Sequence, residues 1–267
     1  MTFDPASEAH VALVDEMPLW SALAGSLLLD IVPMTARRLL DLGCGTGFPL
    51  FELAERLGEQ ALAVGLDPWR PALTRAMAKR DTWPVPHVGL VCGDGSAMPF
   101  RDGSFDLVVS NLGVNNFAEP GLAFAECRRV LAPGGALALS TNLVGHFAEL
   151  YETFAGVLTR AGDAVALERL RTHVAHRATV AGLRESLARH GFRVESLRER
   201  EATWRFRDGA ALLSHHFIRL GFAPAWRDVA GGPGASLEPL RAALDARAGD
   251  GGLSLTVPLV ALVARPA

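Results

Sequence analysis

The chain has 267 residues, of which 49% are hydrophobic and 21% are charged, and its formal net charge is −3. This composition predicts a globular protein with a sizeable core and excludes a disordered chain or a minimal disulfide scaffold. Because binding to phosphates requires an excess of clustered Lys and Arg, the charge favours a small-molecule partner over nucleic acid or an anionic membrane.

The cysteines and the apolar segments indicate a cytoplasmic protein. The chain has three cysteines, Cys44, Cys92 and Cys127. Their spacing is not that of metal ligands, and their odd number does not suit a framework of disulfides, so we expect reduced thiols and no metal site. The acidic N-terminal segment is unlike a secretory leader. The apolar stretches 23–32 and 253–264 are shorter than the ~20 residues that a membrane span requires, so we expect no span.

Short apolar strands alternate with helical patterns in the first half of the chain. The predicted strands are 39–42, 61–66, 87–92, 105–110 and 135–141. The predicted helices are 50–57, 71–79 and 120–131. A turn is predicted at Ala132-Pro133-Gly134-Gly135, before the fifth strand. The alternation is typical of an α/β fold with a doubly wound, parallel sheet covered by helices on both faces.

The second half of the chain is mostly helical. Helical patterns cover 143–177, 179–190, 210–222 and 237–248. Two further strands are predicted, at 192–197 and 253–264.

These patterns predict one domain that consists of a core and a helical cap. The core segments are 38–142, 178–204 and 253–267. The cap segments are 1–37, 143–177 and 205–252. The cap is where we expect the substrate to be selected.

The strongest chemical signal is Asp41-Leu42-Gly43-Cys44-Gly45-Thr46-Gly47, between a strand and a helix. Glycines allow a tight turn and let a ligand approach the backbone closely. The spacing does not fit the dinucleotide fingerprint, because Phe48 or Leu50 stands where its third Gly or Ala belongs. A Walker loop is excluded as well, because no Gly-Lys-Ser/Thr follows the glycines.

Two carboxylates follow the next strands. Asp67 ends the second strand, where a carboxylate can accept both hydroxyls of a ribose, although Asp is also a common helix cap. Asp94 ends the third strand, where its side chain could accept from an adenine edge or simply stabilise an Asp-Gly turn.

The glycine loop and these acidic strand ends resemble class I S-adenosylmethionine-dependent methyltransferases. The similarity is to the small-molecule group related to the ubiquinone and menaquinone biosynthesis enzymes, methyltransferase type 11. It extends through 104–111 and 126–135 and covers 38–141 well. It implies a Rossmann-like, mostly parallel seven-stranded sheet with an antiparallel last strand, S-adenosylmethionine as cofactor and S-adenosylhomocysteine as product.

The resemblance also implies a role for each position of the site. The loop with Asp41 would surround the methionine part of the cofactor, Asp67 would take the ribose hydroxyls, and Asp94 would take the adenine amino group. Trp69 would either cover an adenine face or pack in the core. The predicted cofactor-binding residues are Asp41, Gly43, Cys44, Gly45, Asp67, Pro68, Trp69, Asp94, Gly95, Asn111 and Leu112.

The catalytic candidates are weaker signals. Asn116 follows the fourth strand at its carboxyl end, where ligands of α/β proteins bind, but Asn is also an ordinary loop residue. His146 follows the fifth strand, and His216 lies on an apolar helical stripe where a core role also explains it. The chemistry we expect is in-line methyl transfer to an O, N or activated C nucleophile held ~3 Å away, which need not require a general base.

Two alternatives remain open at the level of sequence: a nicotinamide-dependent Rossmann oxidoreductase, and a non-catalytic cofactor-binding or scaffolding protein. DNA adenine methylation is not supported, because Asn111-Leu112-Gly113-Val114 stands where Asn/Asp-Pro-Pro-aromatic is expected. The methyl acceptor and the oligomeric state are left undetermined.

Overall fold

Seven strands form one sheet in the computed structural model, which describes residues 4–16, 19–83, 85, 87–117 and 119–267. The strands are β1 (Arg38–Leu42), β2 (Leu62–Asp67), β3 (Val88–Cys92), β4 (Phe105–Asn111), β5 (Leu131–Asn142), β6 (Phe192–Phe206) and β7 (Leu253–Pro266). Their order is β3-β2-β1-β4-β5-β7-β6. β1 to β5 pair in parallel and β7 runs antiparallel to β5, which confirms the predicted fold class.

The helices follow the predicted alternation through the first half of the chain. Their bounds are α1 (Glu8–Glu16), α2 (Leu19–Leu29), α3 (Leu50–Leu57), α4 (Arg70–Thr82), α5 (Pro120–Val130), α6 (Ala148–Arg160), α7 (Ala164–Ala175), α8 (Val180–Arg189), α9 (Gly209–Ser214), α10 (Ala223–Val229) and α11 (Glu238–Ala248). α3 is amphipathic, and it ends at Gly58 because that residue has a positive φ of 80°.

The centre of the sheet is apolar on both faces. Leu39, Leu40, Val108 and Val109 are fully buried, as expected for parallel strands that helices cover on both sides. Asp41 is paired in register with Gly65 of β2 and with Val109 of β4. The carboxyl ends of β1, β2 and β4 therefore meet at one edge, where ligands of such sheets bind.

Two strands differ from the sequence expectation. Phe105 pairs with Leu131 and Leu107 with Ala136, so the predicted turn at 132–135 is an irregularity inside β5 rather than a turn before it. β6 continues to Phe206, beyond the predicted 192–197. Its alternating Arg and Glu residues lie on an edge strand, where charged side chains remain in water and prevent pairing with another chain.

The helical pattern at 210–222 is also interrupted. α9 ends at Ser214, and a short π-helical segment, Ile218–Phe222, follows before α10.

By its contacts the chain divides into two compact units. The sheet unit consists of Pro5–Asn142, Ala178–Arg200 and Leu259–Ala267. The helical unit is formed chiefly by Leu143–Arg177 and Glu201–Pro258. The predicted cap segments 143–177 and 205–252 lie in the helical unit, whereas residues 5–37 belong to the sheet unit. The single-domain organisation stays a prediction.

None of the described helices is by itself long and apolar enough to cross a membrane. One bent pair, Glu8–Asp15 with Leu19–Leu29, meets the length and composition criteria only when its two helices are taken together.

Candidate functional site

The glycine loop after β1 adopts a conformation that glycine allows without strain. Gly43, Gly45 and Gly47 have φ values of 76°, 52° and 106°, in the left-handed region. The Gly43 N–H donates to the Leu66 carbonyl at 2.8 Å, which fixes the loop against the end of β2. A Cβ added at Gly45 would meet nothing within 4 Å, so one side of the loop is open to a ligand.

Asp41, at the end of β1, is a fully buried acid with no charged partner among the residues that the structure describes. Asp41 is 0% exposed, and neither of its carboxyl oxygens has a hydrogen bond of ordinary geometry among the described residues. Burial, and secondarily the charge of Asp67, raises the pKa of Asp41 to about 8, against the weaker effect of the Leu50 backbone N–H. Because burial disfavours its charged form, a cation bound beside Asp41 would stabilise the carboxylate strongly.

Asp67 connects the end of β2 to the glycine loop. Its Oδ2 accepts the Gly45 N–H at 2.8 Å, and its Oδ1 accepts the Trp69 N–H at 2.8 Å. Burial raises the pKa of Asp67, and these two N–H groups oppose the shift. The N-cap position of α4 is Trp69, which lacks a side-chain capping bond, so Asp67 is not the cap of that helix. Because a carboxylate can accept about four hydrogen bonds, Asp67 keeps capacity for two hydroxyls.

Asp94 lines a cavity of about 170 Å³ beside the glycine loop. The other residues that line the cavity are Leu42, Gly43, Leu66, Pro68, Gly93, Gly95, Ser96, Asn116, Phe117, Glu119 and Ala123. Asp94 Oδ1 accepts both the N–H and the hydroxyl of Ser96 at 2.7 Å, which lowers the pKa of Asp94. The sequence alternatives for Asp94 are therefore compatible, because it forms the turn and also lines the cavity.

The structure brings several predicted cofactor-binding residues to this cavity: Gly43, Pro68, Asp94 and Gly95. The indole N–H of Trp69 donates to the Pro5 carbonyl at 2.7 Å, and its predicted contact with an adenine face stays a prediction. Cys44 is buried, and its sulfur packs against Gly65 of β2, so only its backbone can take part in binding.

Asn111 and Leu112 lie at the carboxyl end of β4, in the sheet unit. The Asn111 amide donates to the Ser21 carbonyl at 3.0 Å and accepts from the Ser140 hydroxyl at 2.7 Å, which ties α2 to β4 and β5. Leu112 has a φ of 60°, which is unfavourable for a residue with a β-carbon and is found most often at functional sites. Their role beneath a sulfonium stays a prediction.

The three catalytic candidates lie in different parts of the structure. Asn116 lines the cavity of Asp94, in the sheet unit. His146 belongs to the helical unit, where it stacks on Phe147 at 3.8 Å, and burial lowers its pKa far below the ordinary value. His216, also in the helical unit, lies with its ring 4.3 Å from that of His215. A catalytic role for each of these three residues stays a prediction.

The described residues contain no group of three or more His, Cys, Asp or Glu side chains that could hold a metal ion.

Sequence reasoning missed the residues that hold the site from a distance. Asp15 of α1 accepts hydrogen bonds from Arg75 and Lys79 of α4 and from Thr46 of the glycine loop. These pairs span about 30 to 60 positions of sequence, so no local pattern could have indicated them.

Known proteins resemble the first half of the chain. A family model described as a methyltransferase domain matches residues 40–139. A demethylmenaquinone methyltransferase from Corynebacterium urealyticum is 36% identical over 141 residues, 52% of this chain and 55% of that protein. A malonyl-[acyl-carrier protein] O-methyltransferase from Coxiella burnetii is 35% identical over 136 residues, 50% of this chain and 44% of that protein. The chain thus spans about half the length of the curated relatives it matches.

The fold is shared with solved structures. A SAM-dependent methyltransferase from Aquifex aeolicus superposes with a TM-score of 0.56 at 18% identity, over 73% of this chain and 92% of that one. At this identity the likeness concerns the fold alone. Residues 40–139, which include most of β1 to β5, therefore match a methyltransferase-domain model, and the fold around them is that of this solved structure.

Proposed function

We propose that this protein is an S-adenosylmethionine-dependent methyltransferase that acts on a small molecule. The observation that carries the proposal is the buried carboxyl group of Asp41, which no cation neutralises among the described residues, at the base of an open glycine loop. S-adenosylmethionine carries an ammonium group on its methionine part, and that group would supply Asp41 with a cationic partner. An unpaired buried acid costs stability, so its presence beside a ligand loop favours a function in binding.

The remaining groups fit the other parts of the cofactor. Asp67 would accept the two ribose hydroxyls with the lone pairs that Gly45 and Trp69 leave available. Asp94 would accept from the adenine amino group through Oδ2, because Ser96 occupies Oδ1. Pro68 and Phe117 line the same cavity and offer apolar surface to a flat ring.

Methyl transfer from a sulfonium need not require a general acid or base from the protein. When bound, S-adenosylmethionine would supply an electrophilic methyl group on its sulfonium, and Asp41, Asp67 and Asp94 would hold it. The residues of the chain hold the two reactants in line and keep water out. We infer an O, N or activated C nucleophile, and the relatives named above do not decide among these.

The nicotinamide alternative is less well supported by the loop. Phe48 stands where the dinucleotide fingerprint has its third Gly or Ala, the residue that allows the helix to pack closely against the strand. The net charge of −3 favours a small-molecule acceptor over nucleic acid. We also propose a cytoplasmic location, because the three cysteines are expected to be reduced thiols.

Calorimetry with S-adenosylhomocysteine tests the proposal. We expect the wild-type protein to bind it and Asp41→Asn to bind it about tenfold more weakly, because the charge that pairs with the ammonium is gone. Asp81→Asn, at the exposed end of α4, is the control and should bind like the wild type. Equal affinity of Asp41→Asn and wild type would contradict the role of Asp41.

A methyl-labelled cofactor then separates an enzyme from a binding protein. A panel of phenols, amines and activated carbon acids should yield a labelled product with one class of acceptor. Binding of S-adenosylhomocysteine without labelling of any of the three classes would favour the non-catalytic alternative.

A further inference from the structure

One arginine holds the loop between β3 and β4 against α5. Arg129, in the last turn of α5, uses all five of its N–H donors. Nε and Nη2 donate to the two carboxyl oxygens of Glu126, each at 2.7 Å. Nη1 donates to the Phe100 carbonyl at 2.7 Å and to Asp102 Oδ1 at 2.8 Å, and Nη2 donates also to the Met98 carbonyl at 3.1 Å. This arrangement requires the planar fork of a guanidinium.

Glu126 and the backbone of Arg129 complete the anchor. Glu126 Oε2 accepts the Met98 N–H at 2.7 Å, so both backbone groups of Met98 are bound to this pair. The Gly103 N–H donates to the Arg129 carbonyl at 3.0 Å. The arginine side chain is only 31% exposed, which limits competition from water.

The opposite end of the same loop forms a wall of the cavity. Asp94 and Ser96 line it, and the Ala97 N–H donates to the Asp94 carbonyl at 3.2 Å, immediately before the anchored Met98. α5 contributes Ala123 to the cavity from its first turns. The helix that holds the loop therefore itself lines the cavity, and the same loop connects Asp94 to the residues that Arg129 contacts.

We propose that Arg129 is a positioning residue that sets the recognition of the adenine base, by holding the loop so that Asp94 meets the 6-amino group. This inference rests on the proposed function. Arg129 is distant in sequence from Asp94 and contacts the loop at residues 98 to 103, so it acts through the loop.

The test compares two ligands in calorimetry: S-adenosylhomocysteine and S-inosylhomocysteine, which carries a 6-oxo group instead of the amino group. The wild-type protein should prefer the adenine compound by about thirtyfold, because the hydrogen bond to a charged group is lost with the other. Arg129→Lys should reduce this preference to about threefold, since a lysine cannot make five directed bonds. Arg128→Lys, the exposed neighbour on the same turn, is the matched control and should keep the wild-type ratio.

The ratio separates positioning from stability. Weaker binding of both ligands by Arg129→Lys, with the wild-type ratio retained, would overturn the proposal, and so would a wild-type protein that binds both compounds equally. If Arg129→Lys does not fold, Asp102→Ala decides: its carboxylate is 82% exposed, and its loss removes one of the five contacts. We expect that variant to lower the ratio about two- to threefold, and an unchanged ratio would overturn the proposal. A wild-type protein that fails to bind S-adenosylhomocysteine would instead refute the proposed function.

Discussion

Asp67 and Gly45 are joined by a hydrogen bond of 2.8 Å, from the loop N–H to the carboxylate at the end of β2. The contact fixes the middle of the glycine loop to the neighbouring strand before any ligand is present. It makes Asp67 both a support of the loop and a candidate for the ribose hydroxyls. A preorganised loop loses less entropy when a cofactor binds.

Replacement of Asp67 tests this double role. Asp67→Ala removes the acceptor for Gly45 and Trp69 as well as the one proposed for the ribose, so the affinity for S-adenosylhomocysteine should fall about tenfold or more in calorimetry. Glu52→Ala, a surface carboxylate of α3, should bind like the wild type. Unchanged affinity of the Asp67 variant would restrict this residue to a structural role.

The pKa of Asp41 predicts how stability depends on pH. Burial and the charge of Asp67 raise the folded-state pKa to about 8, whereas the unfolded chain has a value near ~3.9. Between these values the folded protein binds more protons than the unfolded one. The contribution of Asp41 is therefore complete below pH ~4 and is lost as the pH rises to about 8, by up to ~1.4 kcal/mol per unit.

Urea unfolding of the wild type and of Asp41→Asn across this range measures the effect. The free energy of unfolding of the variant should decline less steeply with pH, because its amide does not titrate. Parallel declines in the two proteins would show that Asp41 ionises normally.

Asp15 should hold α1 against α4 and the glycine loop. Burial would raise the pKa of Asp15, but hydrogen bonds from Lys79, Arg75 and Thr46 outweigh it and lower the pKa. The contribution of these bonds is thus present above the ordinary pKa and is lost as the pH falls through the lowered value. In Asp15→Asn we expect α1 to be less stable by about 1 kcal/mol, given partly exposed partners.

Hydrogen exchange resolves this effect by segment. Amides of α1 should exchange faster in Asp15→Asn, with those of β4 unchanged, while Glu8→Gln on the exposed side of α1 should exchange like the wild type. Equal protection of α1 in all three proteins would contradict the role of Asp15.

Cys44 provides a contrast within the glycine loop. Its thiol is buried against β2, and burial raises its pKa, so the side chain faces away from the open side of the loop. Cys44→Ala should cost about 1 kcal/mol of stability for the lost buried sulfur, with S-adenosylhomocysteine affinity within about twofold of wild type. A large loss of affinity without a loss of stability would indicate a direct contact.

The sequence predicted what depends on neighbouring residues and missed what depends on distant ones. The loop at 41–47 and the acid at Asp67 could be identified because each motif is continuous and its strand is apolar. The bond from Asn111 to Ser21, 90 positions away, could not be identified, because nothing local indicates it. By its contacts the part of 5–37 that the structure describes is grouped with the sheet unit, and its predicted role as part of the cap stays a prediction.

The extent of β6 was missed for another reason. Arg and Glu alternate from Arg198 to Glu201. Because a strand is recognised by its apolar residues, this charged segment was interpreted as an exposed surface rather than as part of a strand. β6 is an edge strand that pairs with β7 on one side only. Its charged side chains can therefore stay in contact with water while the backbone pairs with β7. Neither the sequence nor the fold identifies the methyl acceptor, since shared architecture does not fix a substrate.

Thermal unfolding of the wild-type protein with S-adenosylhomocysteine and, separately, with NAD tests the central claim most directly. A ligand that binds only the folded state adds ~2.7 kcal/mol of stability at a hundred times its dissociation constant, enough to raise the melting temperature measurably. We predict a concentration-dependent rise with S-adenosylhomocysteine and none with NAD. A rise with NAD alone would contradict the assignment of this site to S-adenosylmethionine.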